Sequence, residues 1–550
     1  MKNFLTLLLV TVFLISCSTK ENNGYKLGEL TFDVTGSDEA KEIFKKGHLL
    51  LHSFEYQDAC EVFLEAQKAD PDFAMAYWGE AMTYNHSIWQ EQDLEKGREA
   101  LRKLGETAEE RIGKAKTELE KEFIRSLNIL YGEGSKTDRD KAYANFMGEL
   151  YQRYPDNHEV ASFYALSLLG SVTVGRSDEV YQQSARISEK ILQENPNHPG
   201  ALHYFIHAND DPYHASTAVE VANEYAVVAP DAAHALHMPT HIYLALGMWD
   251  KVVSSNEVSW QASVNRKERK NLSNDAYGYH SYHWLQYGYL QQGRVEEARK
   301  TLENMIQYCT ELPSARARTH EVFFKSTYLV ETNDWASEYS LKETDTKELN
   351  ILTRSMESFV KGMKFYHTKD NTSLEKLILS MEKDRQVESA KISDAGIALC
   401  NSGGANREIA TVLDVNLSHV LEMELRAMQA WMQNDLETTE KWLKEASTLE
   451  ENVSYSYGPP AVVKPSHELY GEFLLSLDRA DEAIAQFDKA LQLAPKRMMA
   501  LQGKLKAATQ VKNTQLIDEL EKQIQEIVKT SSQQMALARL VPVSSTRSKF

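Results

Sequence analysis

The segment HALHMPTHIYLALGMWD, residues 234–250, places His234, His237 and His241 within eight residues. Upstream, GALHYFIHANDDP carries His203 and His207. His203/His207 and His237/His241 are each four residues apart, a spacing that puts both imidazoles on one face of a helix. Neutral imidazole is the commonest protein ligand for zinc, copper and nickel, and i, i+4 pairs are a frequent way to hold them. The two pairs are themselves related, because 237 − 203 and 241 − 207 both equal 34. Neighbouring packed helices lie about 8–10 Å apart, so four imidazoles on adjacent helices can meet at one point. His203, His207, His237 and His241 therefore form a candidate zinc or copper site. Asp210 and Asp211 follow the first pair, as further ligands or as groups that orient ring N–H bonds. In a hydrolytic version the ion would lower the pKa of a bound water and Asp210 would take its proton. The same imidazoles suit a polar or anionic ligand without any metal. Pro239 removes a helical hydrogen bond between His237 and His241. Either the second pair straddles a kink, or a helix begins at Pro239 and His237 lies in the turn before it.

Other catalytic signatures are missing. His158-Glu159, His320-Glu321 and His467-Glu468 lack the second His of HExxH, and there is no GxSxG elbow, P-loop, GxGxxG or CxxC pair.

The elements that would position these side chains repeat along the chain. Gly47, Ala59, Phe63, Ala66 and Pro71 are spaced by 12, 4, 3 and 5 residues, and Gly471, Ala483, Phe487, Ala490 and Pro495 repeat that spacing. Pro196 and Pro230 are 34 apart. The pattern resembles the tetratricopeptide repeat, a helix-turn-helix with small residues at the helix crossing and Pro after the second helix. Strand signals are weak, so the expected fold is all-α, a tetratricopeptide-repeat helical solenoid. The resemblance also implies that positions 2, 5, 9, 12 and 13 of each first helix line a concave groove. By that register His203 and His237 take position 5, and His207 and His241 take position 9. His280 and His283 take positions 2 and 5, His48 and His52 positions 9 and 13, and Glu468 and Glu472 positions 5 and 9. His234 and His214 fall outside the register and read as structural.

The N-terminus MKNFLTLLLVTVFLISC has a basic start, a short apolar stretch and a Leu-Ile-Ser-Cys end that resembles a bacterial lipobox, with Cys17 the lipidated residue. Acyl chains anchor a protein without a membrane-spanning helix. The expected location is the cell envelope, at the outer membrane, facing the periplasm or the surface, with the membrane met only through the anchor. Loss of residues 1–16 removes one Lys and no acid, taking the formal charge from −19 to −20, which disfavours nucleic acid as a partner. Cys60, Cys309 and Cys400 are isolated and read as packing residues. The expected organisation is a signal peptide at 1–16, a lipidated tether at 17–38 and an N-terminal repeat region with a solvated helical insertion at 39–135. A His-rich central region at 136–310, degenerate repeats at 311–423, C-terminal repeats at 424–512 and a capping helix with polar tail at 513–550 complete it.

FEYQDACEVFLEAQKADPDFAMAYWGEAMTYNHSIWQEQD, HPGALHYFIHANDDP, APDAAHALHMPTHIYLALGMWD and GPPAVVKPSHELYGEFLL together resemble a bacterial family of tetratricopeptide-repeat proteins. That resemblance implies the fold and not an activity. The expectation is a lipid-anchored solenoid that binds a peptide, protein or small ligand in a His-lined groove, a binding protein rather than an enzyme, with no certain cofactor. The alternative is a zinc or copper protein, including a metal-dependent hydrolase, built on the His pairs.

Overall fold

A computed structural model describes residues 25–393, 395–397 and 408–528 of the chain. Cys17 and its lipobox, Cys400 and the C-terminal tail lie outside the described residues. Among the described residues there are twenty-five α-helices and one two-stranded ribbon, in which Asn85–His86 pairs antiparallel with Glu91–Gln92. Successive helices pack against one another from one end of the chain to the other. The architecture is an α-helical tetratricopeptide-repeat solenoid. No described helix is long and apolar enough to cross a membrane.

The repeat signature has a steric cause. Phe63, from the second helix of the first repeat, wedges between Gly47 and Gly79, where an added Cβ would lie 2.9 and 2.3 Å from its ring. Phe487 does the same between Gly471 and Gly503, at 2.7 and 2.4 Å. Small residues in two flanking helices thus make one slot for an aromatic ring, and the slot fixes how one repeat seats on the next.

The superhelix closes on itself through polar contacts between distant segments. Trp249 donates its indole N–H to the Lys496 carbonyl at 3.0 Å. Asp58 pairs with Arg266 and with Lys270, and the Arg176 backbone N–H donates to the Ser454 hydroxyl at 3.1 Å. These contacts bring the N-terminal, central and C-terminal repeats around a shared interior.

One region departs from the sequence expectation, and at another the structure decides between two alternatives. The charged stretch 106–122 is not one solvated helix. Capping boxes at Thr107/Glu110 and Thr117/Glu120 start two helices, Ala108–Lys114 and Glu118–Leu130. The first buries nothing, whereas the second buries Phe123, Ile124 and Leu127, and Glu120 accepts hydrogen bonds from Thr35. Ser and Thr compete for backbone donors and so break helices where charge periodicity alone would continue them. The alternatives left open by the sequence are at Pro239. Helices Ala233–His237 and Pro239–Ala245 meet at Met238, whose φ of −52° and ψ of −38° keep the path helical. The Thr240 hydroxyl donates to the His237 carbonyl at 2.7 Å at the break. His237 and His241 therefore straddle a kink.

Candidate metal centre

Helix Pro199–Ala208 carries His203 and His207, and the kinked pair of helices beside it carries His234, His237 and His241. Their rings form a closed circuit. Centroids are 5.0 Å apart for His203–His207, 5.0 Å for His207–His241 and 5.2 Å for His241–His237. The circuit closes through His237–His234 at 6.0 Å and His234–His203 at 5.0 Å. His280, on helix Tyr279–Gln291, abuts it at 4.8 Å from His237.

The hydrogen-bond partners decide what these rings can do. His241 Nδ1 lies 3.0 Å and His207 Nδ1 3.2 Å from the same Asp210 oxygen, Oδ2. His203 Nδ1 lies 2.7 Å from the carbonyl of His52. His237 Nδ1 lies 2.7 Å from Asn256 Oδ1, and Asn256 is oriented by donating its own amide to the Val252 carbonyl. Every one of these partners is an acceptor, so each Nδ1 must carry the proton and each Nε2 must present a lone pair. The Nε2 atoms of His203, His207, His234, His237 and His241 are all buried, and none has a hydrogen-bond partner. A buried polar atom left unpaired costs about 1–3 kcal/mol. Five together would rival the roughly 5–15 kcal/mol net stability of a typical protein, so the circuit is built for a cation or a proton donor.

Electrostatics keep the lone pairs available. Burial pushes the pKa of His203, His234 and His237 well below the usual imidazole range, and that of His241 down to about 4. These four rings are therefore neutral near pH 7, the form that coordinates a metal or accepts from a proton donor. Burial opposes ionisation of Asp210, but the hydrogen bonds from His207 and His241 outweigh it and hold the carboxyl well below its usual range. Its second oxygen is taken by Arg176 Nη1 at 2.9 Å, while Arg176 Nη2 reaches Asp211 at 2.8 Å. Asp210 thus orients the two imidazoles, and its ligand atom also lies within 4.8 Å of those of His207 and His241, which keeps it a candidate ligand. Asp211 caps His214, with Nδ1 at 2.8 Å, away from the circuit.

One side of the circuit opens on a cavity of about 980 Å³, whose wall includes His234, His237, His280, Trp89, Arg316 and Tyr457. The other side is roofed. Trp284 lies 4.9 Å from His237 and 4.6 Å from His241, and Tyr457, at the edge of the cavity, lies 4.9 Å from His241, as ring centroids. Tyr457 sits on the segment linking helices Leu436–Asn452 and Ser466–Ser476. That segment lies flat on Trp284 because Gly458 has φ +103° and a Cβ there would sit 2.6 Å from the indole.

The other groove positions read from the repeat register lie elsewhere. His48 and His52 are fully buried around Glu159, with Nε2 atoms 2.7 and 2.9 Å from Glu159 Oε2. His198 Nε2 adds a contact at 3.1 Å to Oε1. His52 Nδ1 is 2.8 Å from the Tyr204 hydroxyl, and His198 Nδ1 accepts the Ala201 backbone N–H. His52 and His198 therefore donate from Nε2, the opposite tautomer from the circuit, and neither has a lone pair to spare. Burial lowers the His52 pKa to about 4, and the three imidazoles hold Glu159 ionised against its own burial. His48 Nδ1 is buried without a hydrogen-bond partner, and the ligand atoms of His48, His52 and Glu159 lie within 4.8 Å of one another, so this cluster is a second, separate candidate. His283 turns to the next repeat, with Nε2 2.9 Å from Thr327 Oγ1. Glu468 and Glu472 bind Lys464 at 2.9 and 2.6 Å, and Glu468 also takes Arg497 at 2.8 Å. They form an internal ion network. His234, read as structural from the register, stands inside the circuit, because it precedes His237 by three residues and His241 by seven and so shares their helix face. Trp284, Tyr457 and Asn256 gave no signal in the sequence beyond their types.

Residues 465–497, which hold Gly471, Phe487 and Pro495, match the tetratricopeptide repeat family. No curated protein matches the chain. Among solved structures, yeast Tom70 is 14% identical, covering 89% of this chain and 99% of its own at a TM-score of 0.32. The anaphase-promoting-complex hetero-tetramer Cut9–Hcn1 is 12% identical, covering 93% and 77% at 0.33. A human IFIT1 dimer with m7Gppp-AAAA is 11% identical, covering 92% and 97% at 0.37.

Proposed function

We propose that this protein is a metal-binding solenoid that holds zinc or copper on the imidazole circuit of His203, His207, His234, His237 and His241, at the wall of an internal ligand cavity. The observation that carries the reading is the set of five buried Nε2 lone pairs without partners, four of them fixed by acceptors on Nδ1. An all-imidazole set suits zinc and copper and disfavours magnesium, calcium and manganese, which take oxygen ligands. The cavity then receives a small ligand or a side chain of a protein or peptide partner at the open position of the ion. The lipobox-like N-terminus supports a location in the cell envelope, with Cys17 as the anchor.

A metal-free ligand cavity is the second reading, and the size of the cavity favours it. Chelator-stripped protein titrated with Zn(II) or Cu(I), in competition with a chromophoric chelator, separates the two. Tight binding that is lost in His207→Ala/His241→Ala supports the metal reading. Equal uptake by the double variant, or none by either protein, overturns it.

A further inference from the structure

The metal reading leaves the number of ions open, and the geometry speaks to it. Six imidazoles are more than one zinc or copper ion can use, since such ions take about four ligands. Two of the sets whose ligand atoms lie close together share no member, and a third, His207, Asp210 and His241, takes one imidazole from each. The ligand atoms of His203, His207 and His234 lie within 4.8 Å of one another, and so do those of His237, His241 and His280. Two nitrogens on one ion, each about 2.0–2.1 Å from it, can be at most about 4.2 Å apart. In a tetrahedral set the nitrogens stand about 3.4 Å apart, so each trio closes on an ion with side-chain movements of up to about 1 Å.

The trios face each other. Their rings meet at His207–His241, 5.0 Å apart, and at His234–His237, 6.0 Å apart. Asp210 Oδ2 spans that boundary from below, holding one imidazole of each trio. A single carboxylate oxygen thus sets the tautomer on both sides at once. His234, His237 and His280 bring both trios to the cavity wall.

We infer that the circuit is a two-ion centre, with one ion on His203, His207 and His234 and the other on His237, His241 and His280, and with the open positions of both turned toward the cavity. This inference rests on the metal reading above and goes beyond it in the number of ions and the class of ligand. Three neutral imidazoles leave each ion one position short of a tetrahedral set. Two dications on six neutral donors carry four positive charges, and Asp210 beneath them supplies one negative charge. The centre is therefore complementary to a small anionic oxygen donor, such as hydroxide or a carboxylate, that bridges the pair. Ions in two-metal sites of this kind stand about 3.5–4 Å apart.

The test uses the full mature chain, stripped with chelator, loaded with Zn(II) or Cu(II) alone and desalted before elemental analysis. Two ions per chain are expected for the wild type, and one for His234→Ala and for His280→Ala, one variant for each trio. In the copper-loaded wild type, magnetic coupling across the bridge makes the integrated electron paramagnetic resonance signal smaller than the copper content, and each single variant recovers full intensity. One ion per chain in the wild type overturns the two-ion inference and leaves the metal reading standing, whereas no ion overturns both. Two ions with full, uncoupled signal intensity also overturn the shared centre, and because these readouts come from the wild type, a variant that fails to fold does not blunt them.

Discussion

Asp210→Asn changes one oxygen and tests the tautomer argument without removing a ligand. In the wild type, Oδ2 accepts from Nδ1 of both His207 and His241, while Oδ1 accepts from Arg176. An asparagine has one oxygen for three donors. If its oxygen faces the histidines, its amide confronts the Arg176 guanidinium. If it flips, its amide faces the two Nδ1 atoms, and both rings must move their proton to Nε2, which destroys the ligand lone pair. Arg176 keeps Asp211 at 2.8 Å, so its charge stays compensated and the fold survives. Loss of such an orienting partner costs about 10–100-fold in metal affinity, or about 1.4–2.7 kcal/mol. With free ion at 1,000 times the wild-type Kd, ligand stabilisation is about 4.1 kcal/mol. A 10–100-fold weaker site keeps only about 1.4–2.7 kcal/mol of it. For a chain this long an unfolding entropy of about 2.1 cal/mol/K per residue turns each kcal/mol into only about 1 °C of melting temperature. Chelator competition, which reads affinity directly, is therefore the assay to use. An Asn variant with wild-type affinity would refute the role given to Asp210 and the tautomer assignment built on it.

Glu159→Ala should destabilise the chain by about 3–5 kcal/mol, because it leaves the imidazoles around it without their shared acceptor. Urea denaturation reads that loss, and metal stoichiometry should not change; altered stoichiometry would mean that the His48/His52 cluster is part of the metal site. Glu450 tests the pH response away from the histidines. Burial and the nearby Glu468 push its carboxyl up to about 7, although Ser466 donates to it. Its folded pKa thus exceeds the unfolded value of 4.5, so its contribution is fully present below that value and is lost as pH rises through 7. Allowing for partial exposure, wild type should lose about 2 kcal/mol relative to Glu450→Gln between pH 5 and 8.5. Denaturation curves with a constant difference across that range would contradict the assignment. Cys17→Ser should release the protein from membranes or leave it unprocessed, as fractionation of cell extracts would show. A processed Ser variant still in the membrane fraction would rule out a lipid anchor.

The fold was open to sequence reading because its cause is local. Gly47 and Phe63, like Gly471 and Phe487, meet within one helix-turn-helix unit, so their spacing already contains the contact. The site was only partly legible for the converse reason. The 34-residue register aligned His203 with His237 and His207 with His241. The groove positions excluded His234, although its spacing of three and seven residues from His237 and His241 puts it on their helix face. His48 and His52 had the same spacing of four residues as the circuit pairs. What separates His52 from those pairs is the partner on Nδ1. His52 meets a hydroxyl from Tyr204, whereas His207 and His241 meet a carboxylate from Asp210. Such partners come from other repeats or the turn after a helix, and no spacing rule predicts which ring nitrogen they will occupy. Tyr457 and Trp284 arrive over the site by closure of the superhelix, a long-range packing event that a repeat signature does not encode.

The central claim is that the Nε2 atoms of this circuit coordinate metal. Anomalous diffraction from crystals of the metal-loaded protein, recorded on both sides of the zinc or copper edge, measures it most directly. The account predicts anomalous peaks about 2 Å from Nε2 of the circuit histidines, with Nδ1 of His207 and His241 still on Asp210. A circuit without an anomalous peak in protein that carries its metal elsewhere, or coordination through Nδ1 with Asp210 displaced, would contradict it.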